Sequence, residues 1–203
     1  MKKSLVAVAV IAALAIAGQA YAAGIVGTAH DFRGTSWYTG NQICVVCHTP
    51  HKASTTVQPL WNHTMGTNNY TNNLTTVFGT SWGAVNGASL LCLSCHDGTV
   101  ALDSYGGNVG SNFVSAGARV GNGTTLNGNH PISINYTPTL ITSGDLRTET
   151  DAKSAGVFLY GSAGSGKVEC GSCHDVHNGA NIKDGLLRVT NTGSGLCLAC
   201  HIK

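Results

Sequence analysis

Every cysteine of this 203-residue chain belongs to a pair with two residues between its members, and every pair is followed at once by histidine. The pairs are Cys44/Cys47, Cys92/Cys95, Cys170/Cys173 and Cys197/Cys200, and the residues after them are His48, His96, His174 and His201. Spacing of this kind is shared by disulfide frameworks, zinc knuckles and thioredoxin-like redox centres. The histidine decides among them, because CxxCH is the attachment signature of c-type haem. Two thiols add to the two vinyl groups of one porphyrin, and the adjacent imidazole reaches the iron as its proximal ligand. With no cysteine left over, the sequence predicts four haem c groups.

Five histidines remain: His30, His51, His63, His130 and His177. Four haems with two imidazoles each need four of these five as distal ligands. Methionine is the other common sixth ligand and raises the potential. The chain offers only Met65 beyond its first residue, so histidine on both faces of each iron, with comparatively low potentials, is the expectation. One histidine is then spare or acts between chains. His30 is a candidate for reaching a neighbouring subunit, since it lies only eight residues beyond an expected cleavage point after Ala22. An arm of that kind is poorly ordered unless tied down, and a head-to-tail ligand would propagate a filament. Ligation within its own chain, or no ligation, is the other reading of His30.

Composition fits a core built on cofactors. Apolar residues make up 42% of the chain but aromatics only 6% and charged residues 10%, against about 25% charged in an average domain. The 27 glycines are about twice the usual share of about 7%. Macrocycles would supply the flat apolar bulk that side chains lack, and folding would be coupled to their attachment. Residues 1–22 read as a secretory signal peptide: Lys2 and Lys3, an apolar run from Leu5 to Ala17, and a small-residue site at Ala20-Tyr21-Ala22. Residues 23–203 form the expected single tetrahaem domain. Lys2 and Lys3 belong to the leader, so nine Lys/Arg face nine Asp/Glu in the mature chain. Neutrality without basic runs excludes nucleic-acid binding, and no further apolar stretch is long enough to span a membrane.

The motifs recur in order. Cys44-Val-Val-Cys-His-Thr-Pro-His51 matches Cys170-Gly-Ser-Cys-His-Asp-Val-His177, and Leu91-Cys-Leu-Ser-Cys-His96 matches Leu196-Cys-Leu-Ala-Cys-His201. Two dihaem units, 44–96 and 170–201, are thus joined by a connection over 97–169. Three residues approximate one helical turn, which would put His48 and His51 on one side of a short helix unless Pro50 breaks it. Helices are expected over 88–103 and 194–201, loops over 67–76, 106–128 and 161–167, and an extended segment at His130 before Pro131. Gly161-Ser-Ala-Gly-Ser-Gly-Lys167 matches the start of a phosphate-binding loop, but Val168 stands where Ser or Thr should bind magnesium. Nucleotide binding is therefore excluded.

On these motifs the chain resembles exported tetrahaem cytochromes of the paired-CxxCH group. More narrowly, it is similar to the four-haem cytochromes that polymerise into extracellular nanowires. The resemblance rests on His30-Asp31-Phe32, Cys44 to His51, Pro59-Leu-Trp-Asn-His63, Leu91 to Gly98, His130-Pro131 and Cys170 to Asn178. It implies a multihaem cytochrome c fold, mostly loops with short α-helices wrapped around a chain of four haems and little β structure. It also implies an axial histidine donated across a subunit boundary, and electron carriage rather than catalysis. The expected function is electron transport through bis-histidine haem iron in a secreted, homopolymeric filament that meets redox proteins or extracellular acceptors. A monomeric periplasmic shuttle is the alternative, and a multihaem reductase with an open iron site is a third reading. Export through the Sec pathway to the cell surface, or to the periplasm, follows from the leader.

Overall fold

The computed structural model describes residues 24–55, 59–70, 84–121, 123–126, 128–136, 144–178, 182 and 185–202. The leader expected over 1–22 lies outside the described residues, as does part of the loop expected over 67–76. Turns, bends and irregular segments make up most of the described chain. Helix α1 (Ser89–His96) holds Cys92 and Cys95, with Leu93 only 1% exposed on its inner face. It stops because Gly98, just past the C-cap Asp97, takes a left-handed φ of 77°. The helix expected over 88–103 therefore ends at His96.

Helix α2 (Glu149–Ser154) is started by Thr148, whose side chain accepts from the Asp151 N–H at 3.1 Å. Helix α3 (Cys170–Cys173) is a single turn fixed by a capping box between Glu169 and Ser172. Helix α4 (Gly195–Leu198) follows a 3-10 turn over Thr192–Ser194. Ser194 has φ 62°, outside helical space, so the helix expected over 194–201 begins one residue later. Its hydrogen-bond pattern runs on past Leu198, with the His201 N–H donating to the Cys197 carbonyl at 2.8 Å.

Strands β1 (Ile134–Asn135) and β2 (Lys167–Val168) pair antiparallel, Ile134 opposite Val168. Two small clusters make the apolar interior. One gathers Tyr136, Leu146, Val157, Leu159, Val168 and Ala199 around Ala152; the other joins Tyr70, Val85, Leu93, Leu126 and Ile132. The first borders the fourth attachment motif, with Cys200 packed on it, and the second borders the second and third motifs through Leu93 and Cys170. The architecture of loops, short helices and a minimal sheet is the one expected of a multihaem cytochrome.

Between the clusters sits Glu169, 2% exposed. Its carboxylate accepts from the backbone N–H and the hydroxyl of Ser89 at the start of α1, and from the Ser133 hydroxyl at 3.0 Å. The Ser89 hydroxyl oxygen in turn accepts from the Cys170 N–H at 3.0 Å. One buried carboxylate thus ties α1 to α3, and with them the second attachment motif to the third.

Candidate functional site

Around the first and third motifs the same backbone contacts recur at an offset of 126 positions, although residues 44–47 form a turn where 170–173 form α3. The Thr49 N–H donates to the Leu60 carbonyl at 2.9 Å, as the Asp175 N–H does to Leu186 at 2.7 Å. Asn62 N–H to Cys47 carbonyl (2.9 Å) corresponds to Arg188 N–H to Cys173 carbonyl (2.8 Å). Even the side chains at that position agree: Asn62 Nδ2 donates to the Val45 carbonyl and Arg188 Nε to the Gly171 carbonyl. Left-handed residues recur at Lys52 and Asn178, and at Leu60 and Leu186. Each motif is therefore clamped by the strand-like segment that follows it, through the bridges His48↔Trp61 and His174↔Leu187.

That clamp orients the proximal imidazoles. His48 Nδ1 donates to the Pro59 carbonyl at 2.9 Å and His174 Nδ1 to the Gly185 carbonyl at 2.6 Å, each 11 residues downstream. His96 Nδ1 donates to the Ala118 carbonyl at 2.7 Å. A carbonyl can only accept, so the ring proton sits on Nδ1 and the Nε2 lone pair is left for a metal. This outer-shell bond is the one that fixes tautomer and ring direction in ligating histidines. His130 Nδ1 is held in the same way by the Pro131 carbonyl at 2.9 Å.

Three proximal rings face a second imidazole. His48 lies 6.3 Å from His177, His96 lies 6.0 Å from His30, and His201 lies 6.3 Å from His130, measured between centroids. With metal–imidazole bonds of about 2.0–2.1 Å, two rings on opposite sides of one ion have centroids about 6–6.5 Å apart. The spacing matches. His30 is brought to His96 of its own chain by consecutive turns over residues 25–38, and the segment is anchored where Asn178 Nδ2 donates to the Gly24 carbonyl at 2.9 Å. Burial, followed by the nearby His96, His174 and His177, lowers the His30 pKa to about 4, which keeps its ring neutral and its lone pair free. His63 is different: it is 5% exposed, its Nδ1 is 2.9 Å from the Thr64 carbonyl and its Nε2 is 3.0 Å from the Ala101 carbonyl. His51 is exposed.

None of the eight cysteines is in a disulfide, and those of successive motifs approach one another: Cys47 and Cys95, Cys92 and Cys170, Cys173 and Cys200. Cys92 and Cys170 are hydrogen-bonded, which lowers the Cys170 pKa to about 7 and raises that of Cys92. Burial, reinforced by Cys95, pushes Cys47 up to about 12, and burial with Cys200 raises Cys173 to about 11. Cys44 and Cys197 are the exposed members. Among the described residues no group of three or more His, Cys, Asp or Glu converges as a zinc site requires. The donor set instead fits haem c: paired thiols, an adjacent imidazole with Nε2 open, and a second ring opposite. His30 Nδ1 and Trp61 Nε1, beside His96 and His48, are buried polar atoms with no hydrogen-bond partner in the protein, as at a site completed by a polar group.

Comparison with known families gives one finding: residues 163–203 match the model of the doubled CXXCH motif. The match supports a multihaem c-type cytochrome of the paired-CxxCH type. The motifs indicate covalently bound haem c, and the family suggests an electron carrier rather than an enzyme. No curated protein matches the chain. Among the described residues no helix is long and apolar enough to cross a membrane.

One further expectation is corrected by the geometry. His48 and His51 share no helix, because residues 44–47 form only a turn and His48 is already paired in the bridge to Trp61. In the third motif α3 ends at Cys173, with His174 extended at φ −106° and ψ 143°. The loop over 161–167 is a hairpin connection closed by Tyr160 and Lys167, and its Gly164 and Gly166 N–H groups donate to the Glu149 carboxylate. The protein's own anion occupies the cradle a phosphate would need. The roles of Glu169 and of the clamp segments 59–62 and 185–188 had no sequence reading. The recurrence of leucine at positions 60 and 186, each 16 residues past the first cysteine of its motif, was the available signal.

Proposed function

We propose that the protein carries electrons through four covalently attached, bis-histidine c-type haems, as a subunit of an extracellular filament exported by its leader. The carrying observation is the facing of proximal and second imidazoles at 6.0–6.3 Å in three separate places. Cys44 to Cys47, Cys92 to Cys95, Cys170 to Cys173 and Cys197 to Cys200 would hold the porphyrins, with His48, His96, His174 and His201 proximal. When bound, haem iron supplies one-electron exchange between its ferric and ferrous states. The chain's residues do the rest: carbonyls of Pro59, Ala118 and Gly185 aim the ring nitrogens, and a second imidazole opposite each would close the coordination sphere. Imidazole on both faces favours electron transfer over substrate binding and over a reductase.

The approach of thiols from motif to motif supports a continuous path, and the exposure of Cys44 and Cys197 supports exchange through the first and last haems. End-to-end contact at such edges is what a filament needs. A pyridine haemochrome assay on purified mature protein should read four haems per chain, with electron paramagnetic resonance showing low-spin iron only. Fewer haems, or a native high-spin signal that shifts with added ligand, would defeat the reading. Electron microscopy of secreted material tests the assembly: uniform filaments are expected, whereas isolated particles would make the protein a periplasmic shuttle.

A further inference from the structure

We infer that Trp61 holds a haem by one of its carboxylates, its indole N–H donating to a propionate beside His48. The inference rests on the haem reading above. Among the described residues, three buried side-chain polar atoms have no hydrogen-bond partner in the protein: His30 Nδ1, Trp61 Nε1 and Asn178 Oδ1. The Asn178 amide is already tied down through Nδ2, which donates to the Gly24 carbonyl at 2.9 Å. His30 faces His96 as a ligand would. Trp61 has neither use. Its indole nitrogen is a donor only and cannot ligate iron. A buried indole N–H ordinarily meets an acceptor, because leaving it unmet is costly.

The ring is fixed where it stands. Trp61 pairs with His48 in the backbone bridge, the neighbouring Leu60 carbonyl and Asn62 N–H clamp the first motif, and the Trp61 carbonyl accepts from the Ser54 N–H at 2.8 Å. The indole meets the His48 ring edge-on, with centroids 5.9 Å apart, and has His63 on another side at 6.3 Å. His63 Nε2 is in turn 3.5 Å from Cys95 Sγ, so the indole stands between the first motif and the second. A haem c offers few acceptors there. Its vinyl groups are used in the bonds to cysteine, its methyl groups accept nothing, and its propionates remain. An ionised carboxylate also makes the stronger hydrogen bond. Charge points the same way. Nine Lys/Arg face nine Asp/Glu in the mature chain, and Arg33 and Lys153 are already paired with Asp31 and Glu149. No surplus of cations meets the propionates of four haems, which leaves them to uncharged donors of this kind.

The test uses the full-length holoprotein. Haem is counted first: fewer than four per chain in the unsubstituted protein would overturn the haem reading, and the inference with it. With four present, Trp61→Phe keeps an aromatic ring and removes the N–H. In resonance Raman spectra an eighth of the propionate bending intensity should leave its hydrogen-bonded position. One of four reduction steps should move to lower potential, because a carboxylate whose charge is no longer drawn toward the indole favours ferric iron. Trp37→Phe, at a ring packed on Phe32 and Tyr38, should change neither. An unchanged propionate band or unmoved potentials in Trp61→Phe, with four haems in place, overturn the inference alone. The same changes in Trp37→Phe overturn it too. If Trp61→Phe fails to accumulate, benzothienylalanine at position 61 keeps the ring shape with sulfur for N–H. It should give the same band shift, and no shift overturns the inference.

Discussion

A backbone oxygen orients the imidazoles of His48, His96 and His174. The Gly185 carbonyl, 2.6 Å from His174 Nδ1, holds the ring proton there and would make Nε2 a better donor to a haem iron bound as proposed. Gly185 has φ 60°, a conformation that costs an L-residue about 1–2 kcal/mol. Gly185→Val should lower stability by about that amount and pull the carbonyl from the ring. One of four reduction steps should then move to higher potential in a spectroelectrochemical titration, the other three staying in place. The CxxCH spacing was legible in the sequence because covalent haem attachment would demand those side chains at fixed positions. Their anchors were not, because every residue carries a carbonyl and only the folded path decides which one arrives.

Among the elements, α1 and α3 are joined through one carboxylate beside the apolar cluster they share. Glu169 accepts from the Ser89 N–H, the Ser89 hydroxyl and the Ser133 hydroxyl. Glu169→Ala would leave those donors buried and unmet, at a cost of about 3 kcal/mol or more. Glu169→Gln keeps an acceptor oxygen and should cost about 1 kcal/mol. Thermal unfolding of the holoprotein followed by circular dichroism measures both. Equal midpoints for Ala, Gln and the natural chain would remove the clamp from the account. Helix existence around Cys92 was legible from its run of leucines. Its end was misjudged because the apolar pattern continues through Val100 and Ala101, while Gly98 had already turned the backbone left-handed.

At the scale of the molecule, two apolar clusters of seven and five buried residues are small support for so much irregular chain. Attachment of the porphyrins should therefore be a condition of folding. Chain produced without haem attachment should be cut throughout by a protease at low concentration, and should lack near-ultraviolet circular dichroism. A haem-free chain that resists digestion as the holoprotein does would contradict this. The duplication was readable as a repeated string, but its depth was not: Asn62 and Arg188 look unrelated as letters yet make the same bond. The exposed outer cysteines carry a last consequence. With haem attached as proposed, a small dissolved oxidant would meet first the groups held at Cys44 and Cys197, the exposed thiols, and later those held at the partly covered ones. Discharge would start at both edges and drain inward, so the interior charge is released last.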